Sequence, residues 1–254
     1  MAESCFPQVL GTLSVKERAD KRWLAALYLG SRMAPDPLDI AEAEACMSGD
    51  DEEILFTLGK TVAEKLGRDA REVTNVVWKT TRAIGLHQGP KATSGKFVAL
   101  RRNIINVFES QSRFVHGVNN RNPYRYAIFA QSYEHALNQC PADRTFQLNY
   151  DDLPGILPSL LEFMGVSDQG EWGTKSSILD DVAKECDWLS QVTGEFKNTD
   201  ETKRAQLDPI LGKRLTSALA AASTLRPLMG PVRKHFDMNS VAYVKKLARE
   251  LLHS

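Results

Sequence analysis

Phe97-Val98-Ala99-Leu100-Arg101-Arg102-Asn103-Ile104-Ile105-Asn106-Val107-Phe108-Glu109-Ser110 is the stretch whose reading decides the fold. Four apolar residues without polar alternation read as a strand buried on both faces, as in a parallel sheet. The run stops at two arginines, and Asn103 follows as a fair N-cap. Ile104, Phe108 and Ser112 then share one helical side. The predicted order is strand, cationic turn, helix.

Two further runs extend that pattern. Val76-Val77-Trp78 ends in Lys79-Thr80-Thr81-Arg82, and Thr145-Phe146-Gln147-Leu148-Asn149-Tyr150 ends in Asp151-Asp152-Leu153. Tyr126, Phe129, Ala130, Tyr133 and Leu137 form a helical stripe. Pro158 opens a helix carrying Leu160, Leu161 and Phe163 up to Gly165. Strands separated by helices predict an α/β fold, a parallel sheet of few strands with flanking helices.

The flanks read as helical. Trp23, Leu24, Leu27 and Tyr28 fall at helical spacing, as do Ile54, Leu55, Leu58, Val62 and Leu66, which Gly67 closes. Acidic residues 50–53 sit where a helix dipole favours them. Downstream, Ile178, Val182, Cys186 and Leu189 make one stripe. Val241, Val244, Leu247, Ala248 and Leu251 make another, behind Asn239 or Ser240 as N-cap. The polar segment 194–208 reads as a surface connector. The expected organisation is one domain over 1–254, with a helical N-terminal region over 1–72, an α/β core over 73–166 and a helical C-terminal region over 167–254.

Composition narrows the function classes. The 254 residues carry 32 Lys+Arg against 32 Asp+Glu, and zero net charge argues against broad adhesion to nucleic acid. Apolar stretches of a few residues fall far short of the ~20 that span a bilayer. Met1-Ala-Glu-Ser-Cys-Phe-Pro has no basic region followed by an apolar one. A cytoplasmic protein without membrane or nucleic-acid partners is expected. Cys5, Cys46, Cys140 and Cys186 are too scattered for zinc spacing, and no HExxH occurs, so no metal is expected.

In open α/β sheets ligands bind at the carboxyl ends of the strands. Arg102 stands at one such end beside a helix N-terminus. Unpaired N–H groups and a guanidinium fork there suit an anion. Ser110 lies two turns further along the same helix, and Lys79 stands at another strand end. The competing bland reading is an arginine paired with an acidic neighbour and a serine on a solvated face.

Arg102-Asn103, with Val107 and Ser110 behind it, resembles the 3′-phosphate-binding segment of sulfotransferases. Those enzymes use 3′-phosphoadenosine 5′-phosphosulfate (PAPS). The family carries Arg-Asn-Pro or Arg-Asp-Pro with a serine eight residues after the arginine; here the separation is kept and Ile104 replaces the proline. Asn149-Tyr150-Asp151-Asp152-Leu153 followed by Leu160-Leu161-Glu162-Phe163-Met164-Gly165 is similar to the family's Arg-Tyr-Glu-Asp-Leu strand end and Leu-x-Phe-Leu-Gly helix. Lys79-Thr80 looks like its Lys-Thr-Pro or Lys-Thr-His. The resemblance spans roughly residues 73–166. It implies a P-loop NTPase-like fold of sulfotransferase type and PAPS as sulfuryl donor, without metal. Arg102, Ser110 and Lys79 would be cofactor contacts, and a small molecule or glycan would be the acceptor.

The departures are equally specific. The family's basic phosphosulfate loop, Pro-Arg/Lys-Ser-Gly-Thr-Thr, is expected upstream of Lys79 and does not occur; the chain either begins after it or has lost it. Gly11-Thr12-Leu13 is at most a remnant. Gly59-Lys60-Thr61 resembles a P-loop tail, but Ile54 occupies the first glycine's position and the surroundings read as helix. Thr81 stands where several relatives place a histidine. His87 becomes the catalytic candidate if that segment folds back to act as base. Two readings follow: a sulfotransferase acting on a hydroxyl or amine, or a non-catalytic relative or fragment serving as a binding module.

Overall fold

The computed structural model describes residues 2–32, 37–79, 93–112, 122–153, 155–166, 200–225 and 230–254. In chain order the elements are β1 (Ala2–Glu3), α1 (Phe6–Leu10), α2 (Val15–Ala19), α3 (Lys21–Ser31), α4 (Ile40–Ala45), α5 (Asp51–Lys65), β2 (Trp78–Lys79) and β3 (Phe97–Arg101). Then come α6 (Ile104–Ser112), α7 (Pro123–Leu137), β4 (Thr145–Asn149), α8 (Leu157–Met164), α9 (Asp200–Gln206), α10 (Pro209–Thr224) and α11 (Gly230–His253). The fold is mixed α/β and mostly helical, with small parallel two-stranded sheets. Its packing divides into two units: residues 1–95, 131–141 and 224–254, and residues 96–130 and 142–223.

The first unit is built on α3. Leu24, Ala25, Ala26, Leu27 and Tyr28 are all buried there, joined by Phe6, Leu10, Ile54, Leu55, Leu58, Val244 and Ala248. Phe6 and Trp78 meet Tyr28 edge-on, with centroids 5.5 and 6.2 Å away. Truncating a core leucine such as Leu27 to alanine would cost about 2–5 kcal/mol. Local chemistry starts the helices. Ser14 with Glu17, Asp39 with Glu42, and Asp50 with Glu53 each form a capping box, the reciprocal exchange that satisfies two orphan backbone donors. Gly67, at φ +75°, follows α5 in the left-handed conformation that glycine adopts without steric cost.

The strand expected over Val76-Val77-Trp78 is only Trp78–Lys79, paired in parallel with Ala2–Glu3. A two-residue partner offers a two-residue ladder. Val76 instead packs onto α5 at Gly59, where an added Cβ would stand 2.4 Å from Val76 Cγ1. Gly59-Lys60-Thr61 therefore lies inside a continuous helix, as its surroundings predict.

In the second unit β3 and β4 pair in parallel, in register from Phe97 with Thr145 to Arg101 with Asn149. Burial on both faces was the expectation for β3. Ala99 is buried, but Val98 and Leu100 each keep 42% of their surface, because alternate side chains face opposite ways and the described elements cover one face. Phe108 of α6, Tyr126 of α7 and Leu215 of α10 form the helical core of this unit. Ala127 meets Ala218 and Ala222 where α7 and α10 approach. Phe163 of α8 lies 5.4 Å from Phe146 of β4.

Two boundaries differ from expectation. The polar segment 194–208 contains α9, which packs on α6. In the sequence, acidic residues at positions 200–201 favour a helix start there. The last helix begins at Gly230 rather than behind Asn239 or Ser240, because Pro231 falls in its first turn, where proline is tolerated, and no proline or glycine follows it up to 240. The stripe Ile178 to Leu189 lies outside the described residues.

Candidate functional site

The site predicted on the β3–α6 segment is assembled from backbone chemistry upward. β3 ends at Arg101 and α6 begins at Ile104, so Arg102 and Asn103 form the whole turn. Asn103 Oδ1 accepts the Ile105 N–H at 3.0 Å, the capping role its position predicts. The Val107 N–H closes onto Asn103 O at 3.1 Å. Arg102 is thereby fixed at the carboxyl end of a parallel strand, beside a helix start.

Helix α6 is held from two sides. Tyr126 of α7 donates its hydroxyl to Ile104 O at 2.9 Å, and its ring meets Phe108 at 4.9 Å. Burial pushes the Tyr126 phenol well above its ordinary value, so it stays a neutral donor. Asn106 and Glu109 are also buried on α6. Sequence reading passed over both; the signal was a polar pair at i,i+3 amid apolar neighbours.

The two adjacent arginines do different things. Arg101 reaches across the ladder, Nε donating to Gln147 Oε1 at 3.2 Å. Arg102 lies over the ring of Tyr150, with Cζ 3.9 Å from the centroid. Tyr150 leaves β4 where Arg102 leaves β3, since Arg101 and Asn149 are the last register partners. It opens a 3-10 turn over Tyr150–Asp152, which Leu153 N closes onto Tyr150 O at 3.3 Å, while Asn149 Nδ2 donates to Asp152 Oδ2 at 3.0 Å. Gly165, at φ +71°, ends α8 in the left-handed region, as a glycine there predicts.

Ser110 lies on α6 six residues beyond Ile104, about 9 Å along the axis at ~1.5 Å per residue. One helix therefore carries both Ser110 and the turn that holds Arg102. Lys79 ends β2 in the first unit, exposed, and its carbonyl accepts the Ser4 N–H at 3.1 Å. His87 lies outside the described residues. β1 is followed by Ser4-Cys5 and then Phe6-Pro7 at the start of α1, without a cation, and Gly11-Thr12-Leu13 follows a helix rather than a strand.

An open cleft of about 590 Å³ in the second unit is lined by Asn122, Pro123, Tyr124 and Arg214. Asn122 caps α7, accepting the N–H groups of Tyr124 at 3.0 Å and Arg125 at 3.2 Å. Sequence reading missed this cleft, although Asn122-Pro123 is a legible helix start. Among the described residues no group of three or more His, Cys, Asp or Glu is placed to hold a metal, and no helix is long and apolar enough to cross a membrane. Comparisons with protein-family models, with curated proteins and with solved structures find no match for this chain.

Proposed function

We propose that the chain is a sulfotransferase-like protein that binds the 3′-phosphate of PAPS, or of its product 3′,5′-ADP, at the carboxyl ends of β3 and β4. The observation that carries the reading is the Arg102 turn, an arginine between a parallel strand and an Asn103-capped helix that also bears Ser110. Donor chemistry supports it. A phosphate dianion suits bidentate guanidinium donors and the positive end of a helix. In the transferring form, an acceptor hydroxyl or amine attacks the sulfur in line. The sulfur–oxygen bond to the 5′-phosphate breaks and 3′,5′-ADP leaves with that electron pair. A base removes the acceptor's proton. The acceptor would be a small molecule or a glycan.

A second reading, binding without transfer, is favoured by one observation. The turn after β1 carries no basic residue to hold a bridging phosphate. Calorimetry with 3′,5′-ADP tests what the readings share. Wild type binds, and Arg102→Ala binds about thirtyfold more weakly, the loss expected of a charged hydrogen bond worth ~2 kcal/mol. Equal affinity of the two proteins removes both readings. A sulfate-transfer assay from PAPS to pooled hydroxyl and amine acceptors then separates them.

A further inference from the structure

Arg102 is an anion ligand only if its guanidinium waits in the right place. A long, flexible arginine side chain loses rotamer entropy when it is held in one geometry, a cost that binding would have to overcome. The strand register supplies a remedy. Arg101 and Asn149 close the β3–β4 ladder, so the next residues, Arg102 and Tyr150, leave the sheet side by side at its carboxyl end. The guanidinium carbon then lies 3.9 Å from the Tyr150 ring centroid, well inside the ~6 Å range of a cation–π contact. Stacking uses the face of the guanidinium, whereas hydrogen bonding uses the N–H donors in its plane, so the two do not compete.

We propose that Tyr150 is a positioning residue: its ring is a shelf that holds the Arg102 guanidinium at the carboxyl end of the β3–β4 pair, oriented in advance for a phosphate dianion. The ligand side of this inference rests on the function proposed above; the shelf itself does not. Tyr150 also stands on a turn pinned at both ends. Leu153 N closes onto its carbonyl, and the preceding Asn149 bonds Asp152. The ring is thus carried by backbone that the β4 ladder and this turn both restrain. Preorganisation of this kind raises affinity by lowering the ordering cost on binding.

The test compares wild type, Tyr150→Phe and Tyr150→Leu by calorimetry with 3′,5′-ADP and with 5′-AMP, which lacks the 3′-phosphate. Tyr150→Leu is expected to weaken 3′,5′-ADP about fivefold, in line with a partly desolvated cation–π contact, and to leave 5′-AMP unchanged. Tyr150→Phe keeps the ring and is expected to match wild type. In an Arg102→Ala background Tyr150→Leu is expected to add nothing. The nucleotide-free proteins are compared by nitrogen-15 relaxation of the Arg102 Nε–H, whose order is expected to fall in Tyr150→Leu and persist in Tyr150→Phe. The shelf is overturned if that order is the same in all three proteins. It is equally overturned if Tyr150→Phe weakens binding as much as Tyr150→Leu, or if both nucleotides weaken alike. If wild type fails to prefer 3′,5′-ADP over 5′-AMP, the proposed function falls, and the relaxation data alone decide the shelf.

Discussion

Glu17 shows how one side chain can serve a helix start and a long-range tie together. Its carboxylate accepts the Ser14 N–H at 2.9 Å and the Ser14 hydroxyl at 2.8 Å, while Ser14 Oγ accepts the Glu17 N–H at 3.4 Å. Lys245 of α11 pairs with the same carboxylate. The bond from Lys245, then the Ser14 N–H, hold its pKa down to about 2 from the ordinary 4.5, against the opposing effect of partial burial. A carboxylate depressed in the folded state contributes stability above its unfolded pKa and loses it as pH falls through the folded value. The window is therefore about pH 4.5 down to about 2. Both side chains remain about a quarter exposed, so solvent screening limits the pair, and Glu17→Gln should cost about 1 kcal/mol at neutral pH. Urea midpoints of the two proteins should converge as pH is lowered through that window. A difference that stays constant with pH would show that Lys245 and Ser14 are not acting on an ionised group.

At the scale of the element, Gly59 inverts a familiar rule. Glycine inside a helix costs about 1 kcal/mol relative to alanine, so Gly59→Ala should stabilise α5 if the helix stood alone. Here the added methyl would meet both Val76 methyls, at 2.4 and 2.6 Å, and the β-branched valine has little χ1 freedom to retreat. Overpacking of this kind costs about 1–3 kcal/mol, and Gly59→Ala should lower the melting temperature. In a Val76→Ala background the sign should reverse, since the obstruction is gone and the helical preference remains. Thermal melts of the four proteins in the cycle decide it; a rise in melting temperature from Gly59→Ala alone would refute the contact. The same contact explains what could be read from sequence. Caps and ends are local chemistry, so Asn103, Pro158, Gly67 and Gly165 were legible. The length of β2 was not, because apolar residues before Trp78 do not reveal whether their partner is a strand or a helix glycine. Arg102 and Ser110 were placed on the right elements by spacing alone. The stack of Arg102 on Tyr150 depends on the β3–β4 register, which no single strand encodes.

At the scale of the whole molecule, chain order and packing order diverge. The first unit's buried cluster draws on residues 5–58 and then on Val244 and Ala248, nearly two hundred residues later in the chain. The stripe that ends in Leu251 was legible as amphipathic, yet nothing in its spacing names α3 as its partner. Gly30 makes that partnership close: a Cβ there would lie 3.2 Å from Leu247 Cβ and 3.4 Å from the backbone nitrogen of Ala248. Helix α11 therefore sits nearly backbone to backbone on α3, and the Glu17–Lys245 pair reinforces it. A fragment of residues 1–95 keeps most of the cluster's side chains but leaves the α3 face beneath Val244 and Ala248 open to water. Losing two buried aliphatic contacts and a helix–helix interface outweighs the few kcal/mol that separate a small folded unit from its unfolded ensemble. The fragment alone should bind a hydrophobic dye and melt without a sharp transition, with helical circular dichroism retained. Adding a peptide of residues 230–254 should restore a cooperative melt whose midpoint rises with peptide concentration, because the peptide binds the folded form. The same peptide carrying Val244→Asp should not, since it would place an unpaired carboxylate in the cluster. If the fragment melts cooperatively at one midpoint with or without the peptide, α11 is not part of the core that folds the first unit.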